Sequence, residues 1–313
     1  MGFLARRVLT ALLTLLLVSL MTFAAFNIIP GDPARVIAGV NASEEQVEQI
    51  RERMGLNASL PSRYFSWLAG FVTGDAGKSL RFDTDVGELI SERLSVTLWL
   101  ALMSAALTSL IAFPAALLTT RRENSPVDRV TNTVSTISLS VPGFFLGVVL
   151  IWIFSLTLKL FTAGRYVPLS ESVPGFFGYM FFPALAIAVP CSAMVLKFLR
   201  SSIFQQKNAD YVRTAYSMGN TPARVLSRHI ARNALIPAVT FMGMIAGDIF
   251  GGSIVTEQVF SVPGIGRLLI TSVAARDFPL LQTLVVYIAF AVVAANTLVD
   301  IAIQLIDPRV RVK

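Results

Sequence analysis

Six apolar blocks separated by polar and basic intervals set the pattern of the chain. They cover residues 8–29, 96–118, 133–160, 181–196, 237–255 and 280–305. A stretch of about 20 apolar residues spans a bilayer as a helix, so the pattern predicts six transmembrane helices. The first block follows Arg6-Arg7 and is longer than the roughly 7–15-residue core of a cleaved signal peptide, which makes it a retained first helix. Pro142-Gly143 predicts a kink in the third block, and Pro183 and Pro190 lie seven apart in the fourth. Such prolines are tolerated in spanning helices when neighbours satisfy the freed backbone groups.

Residues 30–93 break the pattern: they are polar and carry local structure of their own. Ser43 and Gln46 have capping-box spacing before a helical run that Gly55 should stop. Residues 60–72, LPSRYFSWLAGFV, are apolar and aromatic but short, as in a helix lying at the membrane interface. Gly74 to Ser79, GDAGKS, imitates the end of a phosphate-binding loop. The first glycine of that pattern would fall on Val72 and no apolar strand precedes it, so nucleotide binding is not read here.

Composition agrees with the pattern. Of 313 residues, 54% are hydrophobic and 14% charged, with mean hydropathy +0.68, whereas soluble domains carry about 25% charged residues. One cysteine, Cys191, excludes an internal disulfide framework, and one histidine, His229, leaves no metal-ligating cluster. Position 6 is Arg6 where a myristoylation signal wants Ser or Thr.

The net charge of +7 is a matter of topology. With the N-terminus inside, the inner segments hold 15 of the 26 basic residues, including Arg121, Arg122, Arg129 and Arg309, against four acids. The short outer loops hold two basic residues each, Lys159 and Arg165, then Arg267 and Arg276. The positive-inside rule therefore places both termini in the cytoplasm, and nucleic acid is not needed to explain the charge.

The most basic interval, residues 205–237, reads QQKNADYVRTAYSMGNTPARVLSRHIARNALIP. A short helix is expected over residues 208–218, stopped by Gly219, with Thr221 as N-cap and Pro222 in the first turn of the next helix. Arg213-Thr214-Ala215, three residues, Gly219 and the later Pro237 resemble the cytoplasmic EAA loop of bacterial ABC-importer permeases. The Glu and first Ala are absent and Pro237 lies far from Gly219, both as in the peptide and nickel importer branch. Ile29-Pro30-Gly31-Asp32-Pro33, the Gly74–Leu80 stretch, the run EQVFSVPGIGRLLITSVAARDFPLLQ from Glu257 to Gln282, and Asp307-Pro308-Arg309 resemble further motifs of that branch. The resemblance therefore covers essentially the whole chain.

Mechanistic candidates inside the apolar blocks are few. Gly243, Gly247 and Gly251 recur every four residues, a small-residue face suited to close helix packing or to a second subunit across a pathway. Asp248 beside them is an intramembrane acid, a functional candidate as well as a structural one. Asn296 and Asp300, one turn apart, are expected to make an inter-helix polar contact. Met242, Met244 and His229 read as packing or solvated residues, and the sequons at Asn41 and Asn57 carry little weight.

The resemblance implies an all-α polytopic membrane protein, the B-type permease of a type I ABC importer in the bacterial inner membrane. Residues 1–29 would be the first helix, 30–95 an extracytoplasmic region, and 96–313 the permease core, with a coupling loop at 197–236. Asp210, Tyr211, Arg213, Thr214, Ala215, Gly219 and Pro222 would form the ATPase-coupling element. The partners implied are a homologous C-type permease, two ATP-binding subunits that hold ATP and magnesium, and a solute-binding protein received by the acidic outer region. This chain would hold no cofactor and no catalytic residue. Short peptides are the first substrate class, nickel or a nickel chelate the second. Two rivals come from other classes: an ion-coupled secondary transporter using Asp248 or Asp300, and a membrane enzyme, which the scarcity of clustered catalytic groups disfavours.

Overall fold

The computed structural model describes residues 2–28, 33–39, 41–53 and 55–306; of residues 2–5, 33, 36, 37, 53, 300 and 302–306 only the backbone is described. Residues 29–32 of the PGDP motif, the Asp307-Pro308-Arg309 motif, the basic residues Arg311 and Lys313, and the Asp300 side chain lie outside the described residues. The described residues are helical apart from loops and one isolated Lys78–Asp85 bridge. Among the described residues four helices are long and apolar enough to cross a membrane, and two bent helix pairs raise the number to six if each pair is one span. The chain divides into two compact units, Met1–Ser95 with Leu268–Val293, and Val96–Arg267 with Ala294–Lys313. Residues 268–293 thus join the first unit and not the remainder of the core.

In the first unit, α1 (Gly2–Ile28) exposes Leu9, Leu13 and Leu17, as a lipid-facing helix does. α2 (Pro33–Ala38) and α3 (Glu44–Arg53) follow. The capping box before α3 forms as expected: the Gln46 amide donates to Ser43 Oγ at 3.3 Å and the Ser43 amide to Gln46 Oε1 at 3.0 Å. α4 (Leu60–Thr73) ends at Gly74, whose φ of +88° only glycine adopts without strain. α4 packs on α1 through a Ser19–Tyr64 hydroxyl bond of 2.9 Å and the Phe23, Tyr64 and Trp67 rings.

The GDAGKS segment is a closed turn. Ser79 N donates to Thr84 O and Val86 N to Gly77 O, both at 3.0 Å, and α5 (Val86–Arg121) begins only at Val86. The apolar block had suggested a start near residue 96. The helix begins earlier because Val86, Leu89 and Ile90 already have a buried face to fill.

The second unit is built around α8 (Val173–Lys207), whose Pro183 is buried within it. α6 (Pro126–Ser140) and α7 (Gly143–Leu150) pack on it, with a π-helical turn over Ile151–Thr157. The third apolar block is therefore not a kinked helix but two helices meeting at 105°. Val141, ahead of Pro142, is extended at φ −96°, ψ 120°, as the proline ring demands of its predecessor, and Pro142 has no N–H with which to continue α6. α7 then closes on its neighbours. A Cβ on Gly143 would stand 3.3 Å from Ala186 O, and one on Gly147 3.0 Å from the Phe260 ring.

Beyond α8 come α9 (Asp210–Ser217), α10 (Pro222–Arg224), a π-helical turn over Val225–Ile230, α11 (Ala231–Met244), α12 (Ala246–Phe260), α13 (Ile265–Ala275) and α14 (Phe278–Ile306). The fifth block breaks at Ile245, where α11 and α12 meet at 41°.

Candidate functional site

The basic interval folds as its punctuation indicated. Ala209 is extended and turns the chain out of α8; Tyr211 then ties α9 back with a 2.8 Å bond from its hydroxyl to Gln206 Oε1. α9 is amphipathic. Val212 and Ala215 are buried in the same cluster as Ile203, Val225 and Ile230. Arg213, Thr214, Tyr216 and Ser217 are exposed, and Met218 is 74% exposed. Asp210 and Arg213 form an exposed ion pair at 3.9 Å, which adds little to stability.

Gly219 takes φ +77° with nothing within 4 Å of a built Cβ, so its identity is set by backbone conformation and not by space. Asn220, missed in the sequence, completes the stop by donating from Nδ2 to Ala215 O at 3.0 Å. Thr221 Oγ1 then accepts the Arg224 amide at 3.4 Å, with Pro222 in the first turn. Pro222–Met244 runs on as one helical stretch, so the orientation of α9 is joined to a spanning segment through four residues, Met218, Gly219, Asn220 and Thr221.

The charge here is only partly exposed. Arg200 makes a two-pronged contact with buried Asp128, including an Nη2–Oδ2 distance of 3.0 Å. Lys207 pairs with Glu123, and Lys197 donates to Thr136 Oγ1 at 3.1 Å. Those three bases anchor α8 to α6 and the turn before it. Arg213, Arg224, Arg228 and Arg232 remain at the surface.

The glycine face separates into different environments. A Cβ on Gly243 would lie 2.1 Å from Val299, a contact with α14 that tolerates no side chain. Gly247 is half-buried, and Gly251 is exposed with nothing within 4 Å. Met244, Asp248, Gly251 and Val255 form the exposed stripe of this region, so Asp248 is not enclosed within this chain. Asn296 is likewise exposed, in place of the inter-helix contact expected for it.

Two buried acids that the sequence placed only within motifs turn out to organise the loops. Glu257 is 0% exposed. Thr97 donates to its Oε1 at 2.6 Å and the Arg267 amide to its Oε2 at 3.1 Å, while Ile265 N donates to Thr97 Oγ1 at 2.9 Å. The carboxyl group thus caps the N-terminus of α13 from a distance, meeting amides that a helix start leaves unpaired. A Cβ on Gly264 would lie 2.3 Å from the Glu257 carboxyl carbon, which explains the PGIG sequence physically.

In the first unit Asp277, also 0% exposed, accepts from the Ser79 hydroxyl, from Arg81 N at 3.2 Å and from Leu280 N at 3.3 Å. It caps α14 and pins the GDAGKS turn. Asp277 had a local signal, an acid directly ahead of Phe278-Pro279 at a helix start; Glu257, inside α12 and six residues before Pro263, and the remote partners Thr97 and Ser79 had none.

Comparison with known proteins matches residues 109–312 to the family described as binding-protein-dependent transport system inner membrane component, and residues 1–101 to its N-terminal region. A probable peptide ABC transporter permease of Sinorhizobium fredii is 35% identical, covering 99% of each chain. An oligopeptide transport system permease of Bacillus subtilis is 35% identical over 99% of each. A glutathione transport system permease of Escherichia coli is 33% identical over the full length of both. A crystal structure of an amino acid ABC transporter with histidines aligns with TM-score 0.52 at 19% identity, covering 71% of this chain and 94% of that one, a likeness of fold alone.

Proposed function

The chain belongs to the family of binding-protein-dependent transport system inner membrane components, and from that premise we propose that it forms half of an ATP-driven import pathway for short peptides. It is a multi-pass inner-membrane permease that works with other ABC components. In this proposal it pairs with a homologous permease, two ATPase subunits engage α9, and a solute-binding protein delivers the peptide on the opposite face. Both termini and the basic interval are cytoplasmic. ATP and magnesium belong to the partners.

The observation that carries the reading is the geometry of α9: one short helix with Val212 and Ala215 buried, Tyr211 half-buried and its other residues exposed, jointed at Gly219 to a stretch that runs into the apolar core. Force on the exposed face moves α9, and the buried pair Val212 and Ala215 passes that motion to Ile203 and Ile230. The peptide substrate is supported by the names of relatives alike over the full chain. Nickel has no comparable support, since no metal-ligating cluster exists among the described residues.

The test is reconstitution of the chain with a second permease, ATPase subunits and binding protein in vesicles. Labelled dipeptide should accumulate only with ATP and be unaffected by a protonophore. In the same vesicles, Asn208→Cys in a Cys191→Ser background should label only from the ATPase side. Uptake that collapses with the proton gradient and ignores ATP would make the chain a secondary transporter instead.

A further inference from the structure

The geometry points to a built site in the first unit for one phospholipid with a zwitterionic headgroup ending in a primary ammonium. It does not depend on which solute is carried. A cavity of about 480 Å³ is lined by Phe23, Arg63, Ser66, Trp67, Asp75 and Gln282 among others. Two of these residues carry buried donors without a hydrogen-bond partner, Trp67 Nε1 and Gln282 Nε2. Gln282 is only 8% exposed. Unpaired buried donors are costly and uncommon in native proteins; both belong to residues that line this one cavity, where a small side-chain shift brings them to an acceptor. Arg63 supplies the cationic fork that suits a phosphate.

Asp75 decides the headgroup. It lies on the same wall, accepts the Gly77 amide at 3.3 Å and is exposed. A purely anionic headgroup would meet repulsion there, whereas an ammonium a few atoms from a phosphate would be paired. Phe23 also walls a second cavity of about 600 Å³, which is almost wholly apolar and lined by Leu16, Leu20, Ile28, Leu60, Tyr64 and Phe65 among others. From Leu16 to Ile28 a helix rises about 18 Å, close to one leaflet of a hydrocarbon core of about 30 Å. The aromatic residues of α4, Tyr64, Phe65, Trp67 and Phe71, form one ring cluster, the kind of belt that sits at headgroup depth. A polar donor cavity adjoining an apolar groove of leaflet length matches an acyl chain and its headgroup. A short peptide has the two charges but would leave the groove empty.

The experiment is native mass spectrometry of the assembled, delipidated transporter titrated with phosphatidylethanolamine, phosphatidylcholine or phosphatidylglycerol. One phosphatidylethanolamine per copy of this chain should be retained roughly ten-fold better than the other two, the scale of one charge-assisted hydrogen bond. Arg63→Gln should lower retention by about the same factor. Asp75→Asn should remove the preference over phosphatidylcholine, and because Asp75 is exposed this variant carries the test if Arg63→Gln fails to assemble. Excess dipeptide should leave the lipid bound. Equal retention of the three lipids, wild-type retention in both variants, or displacement by dipeptide would each overturn the assignment.

Discussion

The two ends of α8 handle charge in opposite ways. Near Tyr179 its neighbours bury a carboxyl group: Glu257 is enclosed by Thr97, Gly264 and the α13 amides. Tyr179 itself donates to Phe260 O and accepts the Gly164 amide at 3.0 Å, locking the adjoining loop. About 30 Å further along the same helix, the chain uses one buried pair, Arg200 with Asp128, to fasten the helix and leaves α9 on the surface. The first end is over-determined, since several donors converge on one group and neither Gly264 nor Gly266 beside it has room for a methyl. The second is held by Val212 and Ala215, a half-buried Tyr211 and one capped joint, a smaller set of contacts than the enclosed end has. An element that transmits force needs the second design, and the framework it moves against needs the first.

The largest effect should come from disturbing the enclosed end. Gly264→Leu would push the Glu257 carboxyl away from its amides and leave it buried without them, costing about 3 kcal/mol or more. Thermal unfolding of the purified assembly should drop markedly and membrane yield fall. Wild-type stability would show that the enclosure is loose and erase the contrast between the two ends.

Gly219→Val should be milder for folding and severe for function. A β-branched residue held in the left-handed region costs about 1–2 kcal/mol, which α9 relieves by re-aiming. Membrane level should stay near normal while binding-protein-stimulated ATP hydrolysis and peptide uptake fall together. Normal values for both would remove this joint from coupling; uptake lost with ATPase intact would move the lesion to the pathway.

Thr221→Ala should have the smallest effect. It removes the N-cap of the segment after the joint, worth about 1 kcal/mol, without changing the backbone of Gly219. Uptake should decline modestly with the ATPase rate still stimulated. A loss equal to that of Gly219→Val would mean the cap, and not the glycine, sets the angle of α9.

Much of this protein is local and therefore readable along the chain. The Ser43–Gln46 capping box, the stop at Gly219 and the start at Thr221-Pro222 depend on residues within a few positions of one another, and each appears where the pattern places it. Tertiary packing decided the rest. The break at Pro142 became a 105° turn because α7 has Ala186 and Phe260 to close upon. Gly243 and Gly251 look equivalent by spacing, yet Gly243 meets Val299 while Gly251 has nothing within 4 Å, and the helix bends at Ile245 between them. Glu257 is joined to Thr97 across 160 residues, and Asp277 to Ser79 across 198. Periodicity and capping are properties of neighbours in sequence; the partner of a buried acid is chosen by which distant segment folds against it.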